Sequence, residues 1–411
     1  MPITRRALTL ATLAGASLPA RAQAQPTVKL GIITALSGEY IDAAGPGSVI
    51  AVKLAVEDFV REHTPPFKID VLAGDMLDKP DVGAGIARAW FDKGEADVVI
   101  DVPNSAVAFA IATVVKERNK VALFSATGST ALTNAQCSPN HLQWTYDTYA
   151  LANGTGSALV HEGGKKWFFI TADYAFGHSL QDETTRVVQA NGGTVAGSAA
   201  FPFPQTTDYA SFLLQAQASG ADVIGLACSG NNFSNVVKQA AEFRITEPGA
   251  NGHRQRLAAL ICLLTNVKAI GLQDAQGLVV TAPFYWDTDA ATRSFANRFA
   301  PLYGGIHPTF LHAGAYSAAT HYLKAVMSLG ADKAKADGRA VVAEMKRLPA
   351  EDPLFGRSDV RANGSVSHPM SLYQVKAPSE SKHPWDFYKK LATTPADAAF
   401  MPLSASTCRS A

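Results

Sequence analysis

The 411-residue chain carries 36 Lys and Arg against 35 Asp and Glu, a formal net charge of +1, and is 47% hydrophobic and 17% charged. Such a balance supplies no field to draw in nucleic acid or an anionic membrane, so partners must be read from a local site. The length excludes one small domain and suits two, each with its own core.

Met1 to Arg6 is short and basic, Ala7 to Leu18 is apolar, and Ala20-Arg21-Ala22 and Ala22-Gln23-Ala24 form overlapping small-x-small sites. That pattern predicts a cleavable secretory signal over residues 1–24 and a mature chain starting near Gln25. The rival reading, an N-terminal membrane helix, fails on length, since a span needs about 20 apolar residues. Thr4-Arg5-Arg6-Ala7-Leu8 resembles a twin-arginine signal, which implies export in the folded state, although Thr9 and Leu10 depart from that pattern. No Cys stands at the cleavage site to accept lipid, and no later apolar run approaches spanning length. The expected location is the periplasm, with no membrane span.

Short β-branched runs then alternate with stretches of helical periodicity, the mark of βαβ units and a parallel sheet. Val28–Thr34 reads as the first strand, Gly47–Glu62 as a helix and Phe67–Ala73 as the second strand. Helix Asp81–Lys93, strand Asp97–Asp101, helix Ser105–Arg118 and strand Val121–Phe124 complete one doubly wound lobe. A polar stretch holds Cys137-Ser-Pro139 and Trp144-Thr-Tyr146-Asp147, and the alternation restarts. Helix Tyr149–Glu162, strand Lys166–Thr171, helix Phe176–Ala190, strand Thr194–Phe201 and helix Tyr209–Ser219 are followed by strand Val223–Ala227, helix Asn232–Phe243 and strand Leu257–Leu263. Gly277–Ala282 is expected to close this second parallel series. Helices at Ala290–Tyr303, His312–Leu329 and Asp337–Leu348 follow without strands between them and must pack on sheets already built. Asn363-Gly364, between runs containing Val360 and Val366, predicts a β-hairpin within Gly356–Lys376.

Four cysteines are too few for a disulfide scaffold, but an oxidising compartment permits pairing. Cys137 and Cys408 lie in polar, Pro- and Ser-flanked segments and are candidates for a bridge, whereas Cys228 and Cys262 end apolar runs where a buried thiol fits equally. The chain has no G-x-S-x-G, H-E-x-x-H, G-x-x-x-x-G-K-[ST] or G-x-G-x-x-G, so no cofactor or metal is expected and an enzyme is not the favoured reading. Ser379-Glu-Ser-Lys382 matches S-x-x-K by chance in a polar loop, and His307, His312 and His321 read as solvated or core side chains.

Binding chemistry has better candidates, because ligands of open parallel sheets collect beyond the carboxyl ends of strands, where helix N-termini present free N–H groups. In the first lobe these ends carry Leu36-Ser37-Gly38-Glu39-Tyr40, Pro103-Asn104-Ser105 and Ser125-Ala126-Thr127-Gly128-Ser129-Thr130. Plain N-capping explains Asn104 or Ser105 alone, but the 125–130 loop holds more polar groups than one cap requires. In the second lobe they carry Asp173-Tyr174-Ala-Phe176-Gly177, Cys228-Ser229-Gly230-Asn231-Asn232 and Leu264-Thr265-Asn266. Tyr174 and Phe176, with Tyr285 and Trp286, are candidates for an aromatic wall.

These segments resemble those of type I periplasmic substrate-binding proteins of ABC transporters, the Leu/Ile/Val-binding-protein-like group. Gly31-Ile-Ile-Thr-Ala-Leu-Ser-Gly38 resembles the opening strand and loop, Phe124-Ser-Ala-Thr-Gly-Ser-Thr-Ala-Leu-Thr133 the S-P-x-A-T-x-P-x-L-T segment, and Asp173-Tyr-Ala-Phe-Gly177 the D-x-x-Y-G turn. Asp208-Tyr-Ala-Ser-Phe, Ser219-Gly-Ala-Asp222, Phe355-Gly356 and Asn363-Gly364 also match, so the likeness runs along nearly all of the mature chain.

The resemblance implies two α/β lobes joined by three crossovers, 27–145 plus 281–357 and 146–280 plus 358–411, closing on a ligand and delivering it to ABC permease transmembrane subunits. It implies no catalysis and a monomer. It places ligand contacts on Ser105, on Ala126, Thr127 and Gly128, and on Phe176, to which the strand ends and aromatic candidates add Tyr40, Asn104, Ser129, Tyr174, Gly230, Asn231 and Trp286. Two departures bear on the ligand: the group's threonine position is Gly128, with Thr127 or Ser129 as replacements, and no acid stands at Leu264-Thr265-Asn266 to pair a ligand ammonium. An unpaired buried ammonium is costly, so the expected ligand is a carboxylate or amide with an apolar or aromatic body, unless Asp173 or another acid substitutes. A sensor for a membrane receptor, or a secreted hydrolase, are the alternatives.

Overall fold

The computed structural model describes residues 25–248 and 254–409, so the expected signal over 1–24 lies outside the described residues. β1 (Thr27–Thr34) is buried on both faces from Leu30 onward, which demands neighbours and covering helices on each side. It lies between β2 (Lys68–Asp75) and β3 (Val98–Asp101), with β4 (Val121–Phe124) and β5 (His141–Gln143) beyond, in the order β2-β1-β3-β4-β5 with every pair parallel. α1 (Gly45–His63), α2 (Pro80–Asp92) and α3 (Ser105–Arg118) make the crossovers. α3 starts where the Asn104 side chain accepts from Ala106 N and Val107 N, an N-cap that satisfies orphan donors. β5 falls in the stretch read as a polar connection. Its His141 and Gln143 are fully buried because their side chains bond Leu132 O and Thr127 O, and this hides the strand from any apolar pattern.

α4 (Thr148–Leu151) and α5 (Ser157–His161), joined by a π-helical turn at Ala152–Gly156, lead into the second sheet. β6 (Lys166–Ala172), α6 (Ala175–Ala190), β7 (Thr194–Phe201), α7 (Ala210–Ala218), β8 (Val223–Ala227), α8 (Gly230–Glu242) and β9 (Arg256–Ala258) follow, in the parallel order β7-β6-β8-β9. The strand expected over Leu257–Leu263 is cut short. After Ala258 a tight turn forms from Leu260 N to Ala258 O, and the Asn266 side chain accepts from Leu263 N, so the apolar run becomes a buried corner into α9 (Leu264–Ile270) and α10 (Leu272–Ala275).

β10 (Val279–Ala282) does not close that parallel series. α11 (Ala290–Leu302), α12 (Phe310–Leu329), α13 (Ala331–Ala336) and α14 (Gly338–Arg347) come next, and α12 packs on α1 and β3 with nearly every residue from Phe310 to Val326 buried. A helix apolar on all sides is a core helix. β11 (Ala350–Asp352), β12 (Gly356–Val360) and β13 (Val366–Ser367) form an antiparallel ladder whose hairpin turns at Asn363-Gly364, and Gln143 N donates to Gly364 O beside β5. β14 (Met370–Val375) leaves that hairpin to pair antiparallel with β10 and β15 (Tyr388–Thr394), and a short α15 (Ala396–Ala399) follows. The tail then returns to the first sheet, where Cys408 is bonded to Cys137 across 271 residues. Cys228 and Cys262 are free and buried. Among the described residues no helix is long and apolar enough to cross a membrane.

Candidate functional site

The carboxyl ends of the first sheet converge on the 125–130 loop. Ala126 N donates to Asp101 O at 3.2 Å, the Thr127 hydroxyl donates to Val102 O, and Gln143 Nε2 donates to Thr127 O and Ser129 O at 3.0 and 3.2 Å. Tyr146 Oη donates to Ala126 O at 3.1 Å, and Ser129 N donates to Ser105 Oγ at 3.4 Å. The loop is therefore held from four sides. Within it the N–H groups of Thr127 and Gly128 donate to no acceptor among the described residues, which leaves two adjacent amides for an anion. Gly128 is required here: a Cβ would come within 2.6 Å of the Phe176 ring and 2.7 Å of the Tyr146 ring. Of the expected replacements for a threonine at 128, Thr127 already spends its hydroxyl proton on Val102 O, whereas Ser129 Oγ accepts from Ala131 N and keeps its own O–H to donate.

The second sheet supplies an aromatic face. Tyr174 stacks on Phe203 at 4.0 Å with an 11° interplanar angle and lies 6.1 Å from Phe176. Across the cleft, Tyr40 shares a short hydrogen bond with the Tyr174 hydroxyl and packs 6.0 Å from Phe203. Tyr40, Pro103, Ala126, Tyr146, Tyr174, Phe176, Ser229 and Leu311 enclose a cavity of about 10 Å³, roughly the room one water needs. Burial pushes the Tyr40 and Tyr174 phenols well above their ordinary range, so both remain hydrogen-bond donors at any working pH.

Beside the tyrosines, Glu39 reaches from the first sheet to the start of α8. Asn231 N donates to its carbonyl at 3.4 Å, Asn232 N to Oε1, and Asn232 Nδ2 to Oε2 at 3.1 Å. Gly230, at φ +63, has no room for a Cβ because Glu39 O lies 2.7 Å from where it would stand. A helix N-terminus favours an anion, yet burial outweighs it and pushes the Glu39 carboxyl up to about 8. Asp78, also raised by burial, bonds the Asn104 amide at 3.4 Å and holds the Glu39 backbone.

Of the residues read from sequence, Tyr40, Ala126, Tyr174 and Phe176 line the cavity; Asn104, Ser105, Thr127, Gly128 and Ser129 frame it; and Gly230 and Asn231 meet Glu39 at its edge. Trp286 stands apart. Its indole donates to Trp385 O at 3.0 Å and packs 4.1 Å from His307, while Tyr285 joins Tyr373 and Tyr388, so the expected four-ring wall splits into two clusters. Asp173 is exposed and paired with His178, and Asn266 spends its amide on Gly230 O, Ser234 Oγ and Leu263 N; neither offers an acid to the cavity. His312 and His321 are core residues bonded to Ala44 O and Met345 O. Asp287, His383 and Asp386 bring ligand atoms within 4.8 Å of one another, but Arg293 and Lys376 already neutralise the two carboxylates. A larger hollow of about 300 Å³, lined by Val237, Arg256, Leu257 and Gly277 among others, opens where β9 and β10 begin, and for β9 that is the end of a parallel sheet where ligands do not collect.

Sequence reasoning left Glu39 unassigned and missed Phe203, Asp101 and Leu311, which sit in ordinary loop, strand and helix contexts and become neighbours only through the fold. Two parallel doubly wound sheets whose carboxyl ends face one cleft, with free amides on one side and aromatic rings on the other, define a two-lobed solute-binding protein. Residues 27–382 match the family described as periplasmic binding protein. A periplasmic binding protein from Burkholderia mallei is 42% identical, with 93% of this chain and 98% of that one covered and a TM-score of 0.87. A branched-chain amino acid ABC transporter periplasmic ligand-binding protein from Burkholderia xenovorans LB400 is 36% identical over 93% and 99% of the two chains, at a TM-score of 0.80. An R. palustris ABC transporter solute-binding protein, solved with benzoate, shares the fold at a TM-score of 0.79 and 20% identity, covering 93% and 99%. None of the curated proteins matches the chain. The chain belongs to the periplasmic binding protein family, the solute-binding components of ABC transporters.

Proposed function

We propose that the protein captures a small carboxylate with an aromatic or apolar body and hands it to an ABC permease, itself performing no catalysis. The N–H groups of Thr127 and Gly128, with the Ser105 and Ser129 hydroxyls, take the carboxylate through charge-assisted hydrogen bonds. Tyr174, Phe176 and Tyr146 take the body. The observation that carries this reading is the pair of uncommitted amides in a loop whose flanking Ala126 and Ser129 amides are both hydrogen-bonded. The state of Glu39 supports a ligand without an ammonium: with its carboxyl raised to about 8, it is mostly neutral at pH 7 and offers a cation no fixed charge.

In this reading the protein is an exported monomer, with residues 1–24 as a cleavable, twin-arginine-like signal. In this reading the lobes divide at 27–145 plus 281–357 and 146–280 plus 358–411, with two adjustments. The hairpin of β12 and β13 adjoins β5, which supports counting it with the first lobe, while β10 pairs with β14 in a sheet of its own with β15, which supports counting it with that C-terminal segment. The Cys137–Cys408 bond supports counting the last residues with the first lobe.

Thermal shift of the mature protein against benzoate, phenylacetate, 4-methylvalerate, leucine and phenylalanine tests the reading. A ligand at 100 times its Kd adds about 2.7 kcal/mol. The desamino acids are expected to shift the transition; a shift with the amino acids alone would overturn the ligand class.

A further inference from the structure

A carboxyl group lies sealed beneath the 125–130 loop. Asp101 ends β3 with no exposed surface, at φ +88, and the equally buried Val102 follows at φ +62. Left-handed backbone is uncommon outside glycine, and for a β-branched residue it is a genuine outlier that the surroundings must enforce. Two contacts enforce it here. Ser48 Oγ from α1 donates to Asp101 Oδ1 at 3.0 Å, and Val102 N donates to Ile33 O at 3.0 Å. The bent corner in turn offers both of its carbonyls to the loop, Asp101 O to Ala126 N and Val102 O to the Thr127 hydroxyl.

The chemistry around the carboxyl is unusual. Asp101 Oδ2, Thr34 Oγ1 and Ser125 Oγ are all buried, and among the described residues none has a hydrogen-bond partner in good geometry. Facing the carboxyl are Thr34 from β1, Ser48 from α1 and Ser125 from the end of β4, with the Tyr146 phenol as the titratable neighbour from the segment after β5. None of these is charged. Burial therefore raises the Asp101 carboxyl from its ordinary 3.8 to about 7, so its proton is exchanged within the working pH range.

We infer that Asp101 is a positioning residue for ligand capture, setting the strained β3 corner from which the 125–129 loop hangs and coupling that loop's grip on a carboxylate to the proton on its own side chain. The inference rests on the reading that this loop holds the ligand carboxylate. When Asp101 loses its proton, a second negative charge stands under the loop in a water-poor setting and repels the ligand's charge. By linkage, carboxylate binding then takes up a proton at Asp101.

Calorimetric titration with benzoate, in two buffers of different ionisation heat at pH 6.0 and 8.5, tests this on the wild type, Asp101→Asn and Glu39→Gln. The wild type is expected to bind about tenfold more weakly at pH 8.5, the loss that one unit of coupled pKa shift brings, and to take up a proton on binding near pH 7.5. Made in the Glu39→Gln background, Asp101→Asn, which keeps the shape without the charge, is expected to abolish both effects while binding persists. Uptake that survives Asp101→Asn and vanishes in Glu39→Gln belongs to Glu39 and overturns the inference. Should Asp101→Asn fail to fold, Ser48→Ala removes a hydrogen bond to the ionised carboxylate and is expected to move the midpoint of the pH profile upward; an unmoved midpoint overturns it. Should the wild type bind no benzoate, the ligand reading fails separately. Amide exchange, corrected for the intrinsic rise of the rate with pH, then decides: the Ala126 and Ser129 amides, bonded to Asp101 O and Ser105 Oγ, lose protection between pH 6.0 and 8.5 in the wild type but not in Asp101→Asn, and equal profiles overturn the inference.

Discussion

The two faces of the cleft are built on opposite principles. On the first lobe, the 125–130 loop is pinned by Asp101, Val102, Gln143, Tyr146 and Ser105 through hydrogen bonds from four elements. On the second, Tyr174 lies between the rings of Phe176 and Phe203, and these rings meet the first lobe at Tyr40 and at Gly128. A preformed polar cradle loses little on binding because its amides are already aimed, whereas stacked rings adapt to the body presented to them. Selectivity for the carboxylate should therefore reside on one lobe and tolerance of the body on the other.

The largest expected effect comes from loosening the cradle at its base. The tail is fastened beside it by the Cys137–Cys408 bond and by Ser406 Oγ to Thr133 O at 3.2 Å. Replacing both cysteines by serine is expected to cost about 4 kcal/mol in chemical denaturation, the scale for releasing a loop of more than a hundred residues. Next, Gly177→Ala attacks the seat of the wall, since its Cβ would stand 2.0 Å from Ala172 O. Backbone cannot yield as a side chain does, and a loss of about 3 kcal/mol is expected. Gly128→Ala strikes where the two faces meet; ligand affinity should fall about 30-fold, or about 2 kcal/mol, with a smaller change in stability because the Phe176 and Tyr146 rings can shift. Tyr174→Phe deletes only the hydroxyl shared with Tyr40. About 1 kcal/mol of closure is expected to go, read as a more open average shape in small-angle scattering, with stability nearly unchanged.

Titration separates the regions as well. Burial pushes His141, His312 and His368 down to about 4, and these pack around the first sheet and its hairpin. Unfolded histidines take up protons near 6.5, so their contribution is full above that value and is lost as pH falls toward 4. Glu39 runs the other way: its raised carboxyl favours the closed form at low pH, and that contribution is lost as pH rises from about 4.5 to about 8. Urea unfolding at pH 4.5 and 6.5, with scattering at pH 6 and 8.5, should show the first lobe weakened by acid and closure weakened by base.

The doubly wound lobes were legible because their strands, such as Val121–Phe124 and Val223–Ala227, are short apolar runs set between amphipathic helices. Legibility failed where burial used polar side chains, as in β5 with His141 and Gln143, or where an apolar run served a corner, as at Ala259–Leu263. The cradle could be read from its excess of polar groups. The wall could be read only in part, because Phe203 lies in the chain after β7 and reaches Tyr174 through the fold, while Trp286 looked equally suitable and turned to Trp385. Asp101 gave no signal, since an acid ending a strand looks like the start of a turn and its left-handed backbone cannot be read from side-chain pattern.

The account stands most directly on the carboxylate being held by the first-lobe loop. One calorimetric comparison tests it, benzoate against methyl benzoate on the mature protein at pH 6.5, because the ester keeps the ring and removes the charge. Benzoate is expected to bind at least about a hundredfold more tightly, a difference of about 2.8 kcal/mol in keeping with charge-assisted hydrogen bonds. Equal affinity for the two would contradict the account, because the rings alone would then be holding the ligand.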